Sequence, residues 1–130
     1  MIVIDASAVV EMLMNTPAGQ RVASVALAPE ETLHAPHLLD LEVVQVLRRY
    51  SRAGDLGPRR AGQAIQDLLD LPIERYPHDL ILPRIWELRN NFTAYDAAYL
   101  GLAEALGAPL LTRDAALAQP GRHRARVMLL

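Results

Sequence analysis

Short β-branched apolar runs alternate with longer segments of helical periodicity along the whole chain, and this alternation limits the fold more than any other feature. Residues 1–4 form the first run, ending at Asp5, and an Ala/Val/Leu/Met stretch continues to about Met14. Pro17 suits a helix start, and Val22, Val25 and Ala26 follow at helical spacing. Residues 32–35 read as a strand closed by Pro36. Residues 37–52 read as a helix with Leu39, Val43, Val46, Leu47 and Tyr50 as its apolar stripe, ended by Gly54. Pro58 opens another helix carrying Ala61, Ile65, Leu68 and Leu69, and residues 72–76 read as a strand. Residues 78–89 are expected to be helical, with Pro83 as a kink. A helix over 93–107 presents Tyr95, Tyr99, Leu102 and Leu106 on one face and is capped by Gly107. A buried strand at 109–112, one helical turn at Ala115–Ala118 and a last strand at 125–129 complete the chain. Strands alternating with helices build a parallel sheet covered on both faces. The expected fold is α/β, a three-layer α/β/α sandwich on a central parallel sheet of four to five short strands, in one domain spanning 1–130.

What the chain lacks narrows its chemistry. Cysteine is absent, which excludes disulfides and thiol catalysis and fits a reducing compartment. All 13 basic residues are arginine. Without lysine, Walker-type phosphate loops, Schiff-base enzymes and phosphatases that set a lysine beside an aspartyl nucleophile are disfavoured. No apolar run approaches the length of a membrane span, and Asp5 and Glu11 interrupt the first apolar stretch, against a signal peptide. A formal charge of -2 argues against a strongly basic nucleic-acid binder, so any nucleic-acid contact rests on clustered arginines.

In parallel sheets ligands bind beyond the carboxyl ends of the strands, and Asp5 and Asp114 fall at or just past two such ends. Each acid also has a bland reading. Asp5 and Asp114 could cap the turns that follow them. Asp96 stands three residues after Thr93, the capping-box spacing, in the first turn of its helix. Glu42 lies on the flank of an apolar stripe, where a solvated face is the default. Taken together, four acids converging on one crevice repel unless a hard divalent cation holds them. An oxygen-only set favours Mg²⁺ or Mn²⁺ over Zn²⁺. His34 and His37 are three apart but separated by Pro36 across a turn, a poor zinc pair.

The segments around these acids carry a resemblance. Ile2-Val-Ile-Asp-Ala-Ser-Ala8, Leu41-Glu-Val-Val-Gln-Val-Leu-Arg-Arg49, Thr93-Ala-Tyr-Asp-Ala-Ala-Tyr-Leu100 and Leu110-Leu-Thr-Arg-Asp114 resemble, in order, the four acidic segments of PIN-domain nucleases. In length and phrasing the chain most resembles the VapC toxins of VapBC toxin–antitoxin pairs. The resemblance implies a PIN-like sandwich and a Mg²⁺-dependent endoribonuclease, with Mn²⁺ as a substitute ion. It assigns Asp5, Glu42, Asp96 and Asp114 as catalytic and metal-holding residues, and places Ser7 and Thr112 beside the metal. With Arg113 these two are expected at the substrate. It also implies a cytoplasmic homodimer and a VapB-like antitoxin covering the site. In such an enzyme the metal would acidify the attacking water and neutralise charge on the phosphodiester. The alternatives are a catalytically inactive PIN-like RNA-binding or scaffold module, and another phosphotransfer enzyme with an acidic pocket.

One segment is contested. Asp40 and Glu42 are about 160° apart on a helix and flank its stripe on opposite sides, so periodicity does not choose between them. The family phrase and the longer side chain favour Glu42, while the first-turn dipole accounts for Asp40. Arg48, Arg49, Arg52, Arg59 and Arg60 form one basic cluster, and Arg122, Arg124 and Arg126 with His123 another. These either contact RNA phosphates or complement helix ends. Leu38, Leu41 and Val44 face away from the main stripe. They read as a second buried face, with a dimer or antitoxin surface as the alternative. Trp86 and Tyr95 are expected in the core.

Overall fold

The computed structural model describes residues 1–130. Five strands form one parallel sheet: β1 (Ile2–Ile4), β2 (Leu33–Pro36), β3 (Ile73–Tyr76), β4 (Leu110–Thr112) and β5 (Val127–Leu129), in the order β3-β2-β1-β4-β5. The helices are α1 (Ala6–Leu13), α2 (Pro17–Ala26), α3 (Leu38–Arg52), α4 (Pro58–Asp70), α5 (Leu82–Glu87) and α6 (Ala94–Leu106). Helix α1 packs on α2, α3 and α4, and α5 packs on α6. The expected α/β/α sandwich is the observed fold.

Central β1 and β4 are buried throughout. Helix α6 follows the same logic: residues 97–103 are all buried, so its surroundings are apolar on every side and not along one stripe. Gly107 ends it at a φ of +62°, a left-handed cap that glycine adopts without steric cost. Helices α1 and α2 approach so closely that a Cβ on Gly19 would stand 1.9 Å from the Glu11 carbonyl oxygen.

Several expectations need correction. The helix expected over 78–89 is a 3₁₀ turn, His78–Leu80, followed by the separate α5. Pro83 does not kink a helix; lacking an N–H, it sits in the first turn of α5, where that donor has no partner anyway. Pro36 is the last residue of β2, included in the strand and paired with Tyr76. On α3 only Leu39, Val43 and Leu47 are buried, while Tyr50, Leu41 and Val44 are exposed, so the second face is not an inner one. Trp86 is 66% exposed and carries the Arg89 guanidinium 4.3 Å above its ring. Tyr95 is 64% exposed. Both aromatics are surface residues because the face of α6 and the short α5 beside them leave no further layer to bury them.

The chain runs from β1 to β2 on one side, whereas β4 joins β1 on the other. The carboxyl ends of β1 and β4 therefore flank the point where successive connections diverge, the place at which such sheets open a crevice.

Candidate active site

Asp5 follows β1 directly and is the N-cap of α1, with its Oδ1 accepting from the Ala8 amide at 3.0 Å. The cap does not exhaust the carboxylate. Ser7 Oγ donates to Oδ1 at 2.7 Å, and the Thr112 hydroxyl donates to Oδ2. Thr112 in turn accepts from the Asp114 amide at 2.9 Å, and Ser7 accepts from the Arg113 amide at 2.9 Å. Two hydroxyls thus tie the turn after β4 to the start of α1 and hold one carboxylate between them. Thr112 is fully buried and positions Asp5 through its hydroxyl, and the Ser7 hydroxyl does the same from the crevice lining.

The other three acids reach the same place from different elements. Glu42 comes from mid-α3, Asp96 from the first turn of α6, and Asp114 from just beyond β4. All four line one crevice of about 420 Å³, with Leu38, Leu41 and Tyr95 among its walls. Thr93 caps α6 by accepting from the Asp96 amide at 3.1 Å, but the Asp96 carboxylate returns no hydrogen bond to Thr93. Half of the expected capping box is missing because that carboxylate lines the crevice. Asp114 caps its own turn, accepting from Ala116 at 2.9 Å. Capping therefore does not keep Asp5 and Asp114 from lining the crevice.

Asp40 is turned the other way. Its two oxygens accept from Arg75 Nε and Nη2 at 2.8 and 2.9 Å, a forked pair that ties α3 to β3. Glu42 instead accepts from the Tyr99 hydroxyl at 2.7 Å. Tyr99 was expected only as an apolar face residue. It is 2% exposed, and its ring fills the core while its hydroxyl emerges at Glu42. Its place three residues after Asp96, on the same helix side, is the signal that could have found it. Arg49, placed by sequence in a basic cluster, also lines the crevice.

No salt bridge involves any of the four acids. Their electrostatics register the omission. Burial pushes the Asp5 carboxyl above its ordinary range; hydrogen bonds from Thr112, Ala8 and Ser7 oppose the rise and the Asp114 charge adds to it. Burial also raises Glu42, against the Tyr99 hydrogen bond and with the charges of Asp5 and Asp96. Asp96 is raised by burial, then by Asp114 and Asp5. No three of the acids are drawn tightly enough to form a closed ligand cluster. The donor set still fits a hard divalent cation: carboxylate oxygens without thiol or imidazole, near one another, coupled in charge and unpaired with any cation. His34 is no part of it, since its ring nitrogens are held by Thr32 and Tyr76 at 2.8 and 2.7 Å.

A parallel five-stranded sandwich with four acids lining a crevice beyond its central strands defines a class, and comparison with known proteins agrees. The sequence profile of the PIN domain matches residues 2–122. The chain belongs to the PIN-domain family. Among its relatives, Ribonuclease VapC12 of Mycobacterium tuberculosis is 39% identical over 130 residues, covering 100% of this chain and 99% of that protein. Ribonuclease VapC1 of the same organism is 43% identical over 117 residues, covering 89% and 87%. Among solved structures, VapBC2 from Rickettsia felis, bound to a DNA fragment from its promoter, superposes with a TM-score of 0.69 at 14% identity. That match covers 99% of this chain and 98% of that one, and speaks for the fold alone.

Proposed function

We propose that this chain is a Mg²⁺-dependent endoribonuclease, hydrolysing RNA phosphodiester bonds as the toxin of a toxin–antitoxin pair. One observation carries the reading: four carboxylates from four elements line one crevice and none is paired with a cation. The names of the relatives, ribonucleases of the VapC group, support it.

Asp5, Glu42, Asp96 and Asp114 would hold Mg²⁺, or Mn²⁺ in its place. When bound, the ion supplies charge neutralisation at a phosphate and acidifies water. The protein's part is preorganisation. Ser7, Thr112 and the Ala8 amide fix both oxygens of Asp5, so this carboxylate needs no reordering on binding. Tyr99 holds one oxygen of Glu42 and leaves the other toward the crevice. The Asp96 carboxylate accepts no hydrogen bond and Asp114 uses one oxygen for its cap, so both keep acceptors for an ion or a water molecule. Arg113, whose amide is held by Ser7, lines the adjoining cavity with Asp114 and would meet the substrate there.

A VapB-like antitoxin is the expected partner. Leu38, Leu41 and Tyr95 give the crevice an apolar rim, and an arginine from the antitoxin would complement its acids. The homodimer and the cytoplasmic setting rest on the family; no helix is long and apolar enough to cross a membrane. The test is cleavage mapping on total RNA with wild type and Asp96→Asn, in Mg²⁺ and in EDTA. Discrete cleavage confined to wild type with Mg²⁺ is expected. Intact RNA under all conditions would overturn the reading in favour of a non-catalytic RNA-binding module.

A further inference from the structure

The acidic crevice does not end at its own wall. A second cavity, also about 420 Å³, adjoins it, and the two share Ser7, Val46, Arg49 and Asp114 in their linings. The second cavity adds Arg113, with Tyr50 at its edge. Together they make one trough: the four acids line its first half, and Arg49, shared by both halves, is joined in the second by Arg113.

Among the arginines, Arg49 and Arg113 are the two that line this second cavity. Neither forms a salt bridge, although Glu11 and Asp114 line the same cavity. Glu11 is engaged by the Thr16 hydroxyl, and one oxygen of Asp114 by its own cap. Arg113 is also tethered at both ends. Its amide donates to Ser7, and its Nη1 donates to the carbonyl of Leu130, which leaves the rest of the guanidinium's N–H groups for a ligand. A charge at the end of α3 would complement the helix dipole and explain Arg49 alone. It does not explain a second, anchored arginine across the same cavity.

The ligand must suit both halves. An anion beside four carboxylates needs a cation between them, whereas an anion one step further along meets arginines directly. A chain of phosphodiesters satisfies both conditions, and the guanidinium fork matches its two non-bridging oxygens. We propose that Arg49 and Arg113 form a phosphate subsite for the RNA linkage next to the one that is cleaved. The inference rests on the ribonuclease reading above and adds a direction to it: the strand lies along the trough from the acids toward Tyr50.

The test measures binding, so it is independent of turnover. A fluorescein-labelled decamer of oligouridylate is titrated by anisotropy with Ca²⁺ in place of Mg²⁺, so that the probe is not hydrolysed, over a range of salt, against wild type, Arg49→Gln, Arg113→Gln and the double variant. Arg21→Gln, an exposed change of equal charge on α2, is the control. For single-stranded RNA each lost phosphate contact lowers the salt slope by about 0.7. Each trough variant should lose one such step and about tenfold in affinity, the size of a charge-assisted hydrogen bond, while the control keeps the wild-type slope. A second probe of the same length with neutral methylphosphonate linkages should bind wild type and double variant alike. Unchanged slopes in the trough variants, with total RNA still cleaved by wild type, overturn the subsite and leave the ribonuclease reading standing. Equal loss in the control likewise overturns it, by showing that only overall charge matters. Wild type that neither binds nor cleaves RNA overturns both.

Discussion

Asp40 and Glu42 sit two residues apart on α3, and neutralising each in turn separates support of the fold from service to the site. Asp40→Asn breaks the forked pair with Arg75. Both partners are partly solvated, with side chains 39% and 24% exposed, so screening limits the loss to about 1 kcal/mol. For a chain of 130 residues the unfolding entropy is about 0.27 kcal/mol per kelvin, which converts that loss into a Tm lower by about 4 °C. Glu42→Gln keeps an acceptor for the Tyr99 hydroxyl while removing a charge that burial, Asp5 and Asp96 disfavour. In EDTA its Tm should equal or exceed wild type. The pH dependence follows from the raised carboxyls of Asp5, Glu42 and Asp96. Their contribution to stability is complete below the ordinary carboxyl pKa and is lost as pH rises through the raised values. The advantage of Glu42→Gln should therefore grow from acid toward neutral pH. Mg²⁺ at a hundredfold excess over its Kd adds about 2.7 kcal/mol, or about 10 °C for this length. Wild type and Asp40→Asn should show that rise in calorimetry at pH 7, and Glu42→Gln should lose most of it together with RNA cleavage. If Asp40→Asn abolishes the Mg²⁺-induced rise and Glu42→Gln retains it, the assignment of α3 is reversed.

Three further outcomes probe the supports of the site. Tyr99→Phe removes the donor that opposes the rise of the Glu42 pKa, so the acid limb of the pH–rate profile should move to higher pH while stability falls by about 1 kcal/mol. Thr112→Val keeps the shape of a fully buried side chain but takes a hydrogen bond from Asp5 and one from the Asp114 amide; denaturant unfolding should show a loss of about 1–3 kcal/mol with weaker Mg²⁺ binding in calorimetric titration. Gly19→Ala places a Cβ against the Glu11 carbonyl; separating α1 from α2 should cost about 1–3 kcal/mol in a chemical melt, with Mg²⁺ affinity little changed.

The parts of this site that sequence could convey were those set by local rules. Asp5 and Asp114 were readable because each follows a three-residue apolar strand, and parallel strands present their carboxyl ends to one side. Asp96 and Glu42 were readable as residue types at positions on helices, but their meeting with Asp5 depends on how α3 and α6 pack across the sheet. What stayed hidden was pairing over long sequence separation. Nothing local links Arg75 to Asp40; their contact follows from β3 joining the edge of β2, which brings Arg75 beside the start of α3. Burial was misjudged for a related reason. An apolar side chain is inside only if a layer exists to cover it, and Leu41, Tyr95 and Trp86 carry apolar surface where this chain supplies no further layer. Two of those three, Leu41 and Tyr95, stand at the rim of the acidic crevice. Residues that a folding argument would bury, left uncovered beside charges that it would pair, mark the surface at which this molecule has to meet something else.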